Sequence, residues 1–303
     1  MIKFPHYLSP GDTIAITCPA GYMPFEKAIT CIETLQHWGY EVLVGKTLGS
    51  ASPNYFSGTD EERCNELQAM LDDKSVKAIL FGRGGYGMGR IIDNLDFKKF
   101  KKHPKWLIGF SDITIMHCQL LTNYNIGSMH APMAAAFNDG EHDSYYIQTL
   151  RKAIAGEKQT YQCLTHPFNK KGKATGKLIG GNLALLAHVI GTPSDFDTKD
   201  CILFIEDIGE YTYNVDRMLY QLKRSGKMKK LKGIIIGGFT DMKDTERVFG
   251  KSVDEIIHEI LQDVDVPVCF NFPVSHGKEN VALKIGATYT LNVGKEKSTL
   301  KEE

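Results

Sequence analysis

Four short apolar runs, each followed by a stretch with helical spacing, constrain the fold of this chain more than any other feature. They are DTIAITC at 12–18, EVLVG at 41–45, KAILFG at 77–82 and WLIGF at 106–110. Residues 24–38 carry apolar side chains at helical spacing after the first run. Thr59 opens another helix, with Glu62 three residues on in capping-box spacing. Ile113 to Leu121 reads as a helix, GSMHAP at 127–132 follows, and 144–155 is a further helix. Strands this apolar are buried on both faces, which parallel βαβ units achieve and half-solvated antiparallel sheets do not. The expectation is an α/β chain whose N-terminal part is a doubly wound, mostly parallel sheet.

At 303 residues the chain exceeds what one core usually organises. The stretch 161–177 is polar and broken by Pro167, Gly172 and Gly176, so it is the expected linker. The division is then 1–160, a linker at 161–177, and a smaller mixed α/β domain at 178–303. That domain has expected strands near 174–180, 201–205, 233–237, 267–270 and 282–292. Its expected helices lie near 182–190, 213–225 and 252–263. The charged tail GKEKSTLKEE is expected to fray.

Lys plus Arg and Asp plus Glu are both 36, so no electrostatic excess exists to hold a polyanion, and nucleic acid is excluded as the main partner. The most apolar stretches, LALLAHVI and GIIIGGF, are far shorter than the roughly 20 residues a membrane helix needs. The N-terminal MIKFPHYLSPGDTIAITCPAG interrupts any apolar core with Pro, His and Asp, and does not read as a secretory signal. Seven Cys occur without a C-x-x-C, mostly in apolar runs. That pattern suits neither a disulfide framework nor a metal site, and the cytoplasm is the expected compartment.

The strongest local signal for chemistry is Gly109-Phe110-Ser111-Asp112-Ile113, where an apolar strand runs straight into a helix. A Ser on such a turn projects its hydroxyl beyond the strand end, beside the free N–H groups and positive dipole of a helix N-terminus. An attacking alkoxide and an oxyanion need those features. The pattern is similar to a G-x-S-x-G elbow, but Ile113 stands where the last Gly would be. Ser111 or Asp112 serving only as a helix cap is the alternative. A second signal is GRGGYGMG at 82–89, five Gly in eight residues, which lets backbone approach a ligand. It matches neither dinucleotide nor P-loop patterns, and a tight turn is its plain alternative.

A serine nucleophile needs a base, and the base an orienting carboxylate. Of ten His, His276 stands out in the turn-rich loop NFPVSHG at 271–277. His130 is a rival after a strand. His117 and His188 fall in apolar helical patterns and are expected in the core. Glu206 and Asp207 end the strand ILFI at 202–205, where a carboxylate needs a partner. A salt bridge from Glu206 to Arg217 is the alternative to a catalytic role.

With these residues in view, the sequence resembles the serine-type LD-carboxypeptidase family, which includes murein tetrapeptide carboxypeptidases and microcin C self-immunity peptidases. The segments that carry the resemblance are CPAG at 18–21, GRGGYG at 82–87, GFSDIT at 109–114, GGNL at 180–183, LFIEDIGEYTYNVDRML at 203–219, GGFTD at 237–241 and SHG at 275–277. The resemblance implies a class I glutamine amidotransferase-like first domain and a homodimer that uses no metal or cofactor. It implies Ser111 as nucleophile, His276 as general base and then acid, and Glu206 as the carboxylate orienting His276. The backbone N–H groups of Gly85 and Asp112 would form the oxyanion hole. Arg83 and Lys278, beside the motifs, are candidates for the terminal carboxylate of the substrate. The implied reaction is hydrolysis of the amide between an L-centre, diaminopimelate or Lys, and a terminal D-alanine in murein tetrapeptide. The alternatives are a peptidase of microcin C-type peptidyl nucleotides with the same machinery, and a non-catalytic ligand-binding module. Stacking an adenine would call for aromatic residues in the cleft, and Trp38 and Trp106 fall in a helix and a buried strand.

Overall fold

The structure, a computed structural model, describes residues 2–303 and divides the chain into two compact units. In chain order the strands are β1 (Thr13–Thr17), β2 (Glu41–Val44), β3 (Val76–Phe81), β4 (Trp106–Gly109), β5 (Ser128–His130), β6 (Thr160–Leu164), β7 (Gly172–Asn182), β8 (Cys201–Ile208), β9 (Gly233–Thr240), β10 (Val268–Cys269), β11 (Leu283–Ile285), β12 (Thr288–Val293) and β13 (Lys297–Glu302).

The first unit, 1–157 with 281–284, is built on a sheet of order β11-β5-β4-β3-β1-β2. The pairs β1–β2, β1–β3, β3–β4 and β4–β5 are all parallel. Every residue of β4 is buried, as are all but the first of β1 and all but Lys77 of β3. That is the burial expected of strands covered on both faces. Ile14, Ile16, Ala78, Leu80, Trp106 and Ile108 meet Cys31 and Leu35 of helix Ile29–His37 and Ile147 and Leu150 of helix Tyr145–Ile154 in one core. Helix Asp60–Asp72 starts at the expected capping box of Thr59 and Glu62. The strand order 2-1-3-4-5 has its switch point between β1 and β3, and in such sheets ligands approach beyond the carboxyl ends of the strands there. The chain leaves β1 into CPAG, β3 into GRGGYG and β4 into Ser111.

The second unit, 158–280 with 285–303, has a mixed sheet of order β10-β9-β8-β7-β12-β13-β6. From β7 through β10 the neighbours run parallel, whereas β12, β13 and β6 pair antiparallel. Although β6 and β10 stand at the two ends of the strand order, Lys170 exchanges both backbone hydrogen bonds with Val268 at 3.0 Å. The sulfurs of Cys163 and Cys269 lie 3.5 Å apart, so the two edges curl toward each other.

Three expectations change. The tail does not fray: β13 pairs with β12 and β6, turning Ser298, Leu300 and Glu302 inward. The stretch 161–177, expected as a linker, holds most of β6 and the first half of β7. Both segments are polar because antiparallel strands with one wet face need few apolar residues. The single strand expected at 282–292 is divided between β11 of the first sheet and β12 of the second.

Candidate active site

Ser111 sits where β4 meets a short 3-10 turn, Ser111–Ile113, that leads into helix Thr114–Gln119. Its φ is +62°, a left-handed conformation that costs a residue with a Cβ on the order of 1–3 kcal/mol. The surroundings hold it there. Ile113 is fully buried and packs against the bare Cα of Gly109, where an added Cβ would lie 3.1 Å from its Cγ1. The departure from the G-x-S-x-G pattern is thus a core contact. Across from the serine, a Cβ on Gly84 would come within 3.0 Å of Ser111 Cβ, 3.2 Å of its Oγ and 3.4 Å of the Asp112 nitrogen. Glycine at 84 keeps the hydroxyl and that N–H uncovered.

The glycine loop is tied on three sides. Gly21 N–H donates to the Gly84 carbonyl at 3.1 Å, and Gly82 N–H to Thr17 at 2.8 Å. Asp112 Oδ2 accepts the Met88 N–H at 2.7 Å. Gly85, at φ +97°, occupies a conformation that favours glycine. Arg83 is exposed, and its guanidinium donates to the Tyr22 carbonyl at 2.9 Å. Asp112 is fully buried, and burial pushes its carboxyl up to about 6 against the lowering effect of its backbone bonds and of Arg63.

In the second unit, Glu206 has no exposed surface, and its Oε2 accepts a hydrogen bond from His276 Nδ1 at 2.5 Å. Two local features produce this pair. The register of β8 against β9 shifts between Ile205 and Asp207, a bulge that re-aims Glu206. Gly237 and Gly238 of β9 then let the loop 271–277 lie on the strand. A Cβ on Gly237 would collide with the Val274 carbonyl, and one on Gly238 would stand 2.6 Å from Ser275 Cβ. Gly238 N–H donates to Val274 O at 2.9 Å, and Ser275 Oγ closes the turn by accepting Gly277 N–H at 3.0 Å and donating to Glu279 O at 2.9 Å. With Nδ1–H given to Glu206, Nε2 of His276 carries the lone pair, which is the tautomer of a general base. The other Glu206 oxygen, Oε1, is buried without a hydrogen-bond partner. A buried carboxylate so thinly satisfied gains most when the imidazole becomes cationic.

The alternation of a strand separates the two acids. Asp207 turns the opposite way from Glu206. Its Oδ1 accepts from Asn182 Nδ2 at 2.7 Å and Ile208 N–H at 2.8 Å, and its Oδ2 from Ala184 N–H at 2.9 Å. Burial pushes its carboxyl up to about 6. Asn182 in turn caps helix Leu183–His188. The salt bridge weighed for Glu206 is not formed: Arg217 donates to Asn214 Oδ1 and its Cζ lies 5.5 Å from the Tyr213 ring centroid.

The other histidines divide. His117 is a core residue between Ser128 Oγ at 2.8 Å and the Gly109 carbonyl at 2.9 Å, and burial pulls its basicity down to about 4. His130 is buried on β5, 5.6 Å from the Phe110 ring. His188 is exposed, contrary to its expected place in the core. Its helix buries Leu183, Leu186 and Ala187, and 188 falls off that stripe. Ser111, Asp112, Gly85 and Arg83 thus belong to the first unit, and Glu206, His276 and the exposed Lys278 to the second. Sequence reasoning missed Arg63, a wholly buried guanidinium bonded to carbonyls at both Pro19 and Gly87. Its place in the charged first turns of a helix made it look like a solvated residue. Among the described residues, no group of three or more His, Cys, Asp and Glu is arranged to hold a metal, and no helix is long and apolar enough to cross a membrane.

Residues 14–131 match the LD-carboxypeptidase N-terminal domain, and residues 175–291 the LD-carboxypeptidase C-terminal domain. A probable murein peptide carboxypeptidase of Bacillus subtilis (strain 168) is 34% identical over 305 residues, covering 98% of this chain and 93% of the relative. The crystal structure of muramoyltetrapeptide carboxypeptidase from Oxalobacter formigenes superposes with a TM-score of 0.86 at 31% identity, covering 96% and 98% of the two chains. A microcin C7 self immunity protein in complex with aspartyl sulfamoyl adenosine shares the fold, with a TM-score of 0.85 at 21% identity over 99% and 98% of the chains. The chain belongs to the LD-carboxypeptidase family.

Proposed function

We propose that the protein is a serine carboxypeptidase that removes the terminal D-alanine from murein tetrapeptide during cell-wall recycling. Ser111 Oγ attacks the carbonyl that joins the L-centre to D-alanine. His276 Nε2 takes the hydroxyl proton, and Glu206 holds the ring and stabilises the imidazolium. The oxyanion is received by the N–H groups of Gly85 and Asp112. His276 then protonates the leaving amine, and with His276 as base water releases the tripeptide from Ser111. Arg83 and Lys278 are proposed to attract the terminal carboxylate. The scheme uses no metal or cofactor.

The observation that carries this reading is the 2.5 Å bond between buried Glu206 and His276. Family membership and the names of the relatives support the substrate. Trp38 and Trp106 are both buried in the first unit's core and are not placed to stack a nucleobase.

For the first unit we propose a class I glutamine amidotransferase-like arrangement. In this reading residues 1–160 carry the nucleophile and 178–303 the Glu and His. The reaction is placed in the cytoplasm, in a homodimer, which light scattering after size exclusion checks. The activity is tested by incubating purified protein with a panel of muropeptides and reading the loss of one alanine by mass. Wild type converts tetrapeptide to tripeptide and Ser111→Ala does not. A fully active Ser111→Ala protein overturns the reading.

A further inference from the structure

Arg63, on helix Asp60–Asp72, has no exposed surface. A guanidinium taken wholly out of water is costly unless its donors are occupied. Here Nη1 donates to the carbonyls of Pro19 and of Gly87, the latter at 3.3 Å, and Nε donates to Gly58 O at 3.3 Å. Nη2 pairs with Asp60, and the Phe56 ring centroid lies 4.7 Å from Cζ. One side chain therefore joins the loop after β1, the loop before its own helix, and the glycine loop after β3.

The Gly87–Met88 peptide is gripped from both ends. Its carbonyl accepts from Arg63, and its N–H donates to Asp112 Oδ2 at 2.7 Å. A peptide group is planar, so holding both ends fixes its plane and the path of the chain on either side. Gly87 adopts φ +154°, and a Cβ there would lie 2.8 Å from Ala20 Cα and 2.9 Å from Arg63 Nη1. Only glycine allows the loop so near the guanidinium. Asp112 is also the residue whose own backbone N–H is one proposed oxyanion donor, and Gly85, the other, lies two residues before the gripped peptide. Asp112 is fully buried, so its carboxyl holds the Met88 N–H from inside the protein and not from solvent.

We propose that Arg63 and the carboxylate of Asp112 are positioning residues that set the spacing between the two oxyanion donors by clamping the Gly87–Met88 peptide. The inference rests on the hydrolase reading above. It assigns the Asp112 side chain a role separate from that of its backbone, and gives one to an arginine that touches no reacting atom.

The test compares Asp112→Ala, Asp112→Asn and Arg63→Lys with wild type and Ser111→Ala, using murein tetrapeptide as substrate. Circular dichroism melts check folding, and a fluorophosphonate counts active sites. Loss or displacement of an oxyanion donor costs about 10²–10³ in kcat, so Asp112→Ala is expected to lose that much per titrated site with KM within about threefold. Asp112→Asn keeps an acceptor for the Met88 N–H and should recover to within about tenfold of wild type. Arg63→Lys, which keeps the charge but not the fork, should fall between them. A merely structural role would lower the melting temperature and leave kcat per active site unchanged. A folded Asp112→Ala protein with wild-type kcat, or an Asn variant no faster than the Ala variant, overturns the clamp. If Asp112→Ala does not fold, Arg63→Lys decides: reduced kcat at constant KM supports the clamp, and wild-type kcat overturns it. Failure of the clamp with Ser111→Ala inactive leaves the hydrolase reading intact, whereas an active Ser111→Ala removes both.

Discussion

In the first unit the chemistry is presented by backbone. Ser111 stands at φ +62° between two glycines, and the groups proposed to meet the oxyanion are peptide N–H donors, one on the glycine loop after β3 and one on the serine's own turn. In the second unit it is presented by side chains. Glu206 is re-aimed by a bulge, and His276 is laid over it by a loop resting on Gly237 and Gly238. Each unit also follows its proposed catalytic residue with a buried aspartate, Asp112 after Ser111 and Asp207 after Glu206, and each aspartate accepts from backbone N–H. The contrast teaches where each unit tolerates change. A backbone device fails when a Cβ is added, and a side-chain device fails when one atom is exchanged.

The largest effect is expected in the second unit. Glu206→Gln keeps the shape but can favour the wrong imidazole tautomer, and kcat should fall by about 10³–10⁴. A Gln variant within tenfold of wild type would mean that Glu206 does not orient His276. Next comes Gly84→Ala in the first unit. Its added methyl meets the Ser111 Cβ and Oγ, and a displacement of this size is expected to cost about 10² in kcat with little change in melting temperature. Gly237→Ala sharpens the comparison, because its Cβ runs into the Val274 carbonyl. Overpacking against backbone should destabilise the protein by about 1–3 kcal/mol, read as a lower urea midpoint.

The last effect concerns the paired aspartates and shows only as a dependence on pH. Burial raises both carboxyls to about 6 from an ordinary value of 3.8. The folded state then holds more protons than the unfolded state between those values, so each group costs stability as pH rises from about 4 to about 6. Asp207→Asn should flatten that decline by roughly 2–3 kcal/mol in urea titrations across this range. A slope unchanged by the substitution would show that Asp207 is ionised well below pH 6 in the folded protein.

Much of the first unit was legible because β1, β3 and β4 are doubly buried and read as continuous apolar runs, whereas β2, at the sheet edge, is half exposed along its length. Ser111 was singled out because a Gly-x-Ser follows such a run, and Glu206 because an acid ends one. His276 stood out only by its turn-rich loop, and nothing local announced the glycines of β9 beneath it. The strand Lys297–Glu302 was hidden because its single apolar residue, Leu300, gives no period and its neighbours β12 and β6 supply the order. His188 was misplaced because a six-residue helix shows too little of its stripe to phase it. Arg63 was invisible for a different reason: its partners are carbonyls of distant loops, and carbonyls leave no mark in a sequence.

The central claim is that Ser111 is a nucleophile made reactive by the His276–Glu206 pair. The most direct measurement is intact-mass and peptide-level detection of a fluorophosphonate adduct, timed in wild type and in His276→Ala. The account predicts one adduct on Ser111, forming at least about 10³-fold more slowly without His276. An adduct elsewhere, or equal labelling rates in the two proteins, would contradict it.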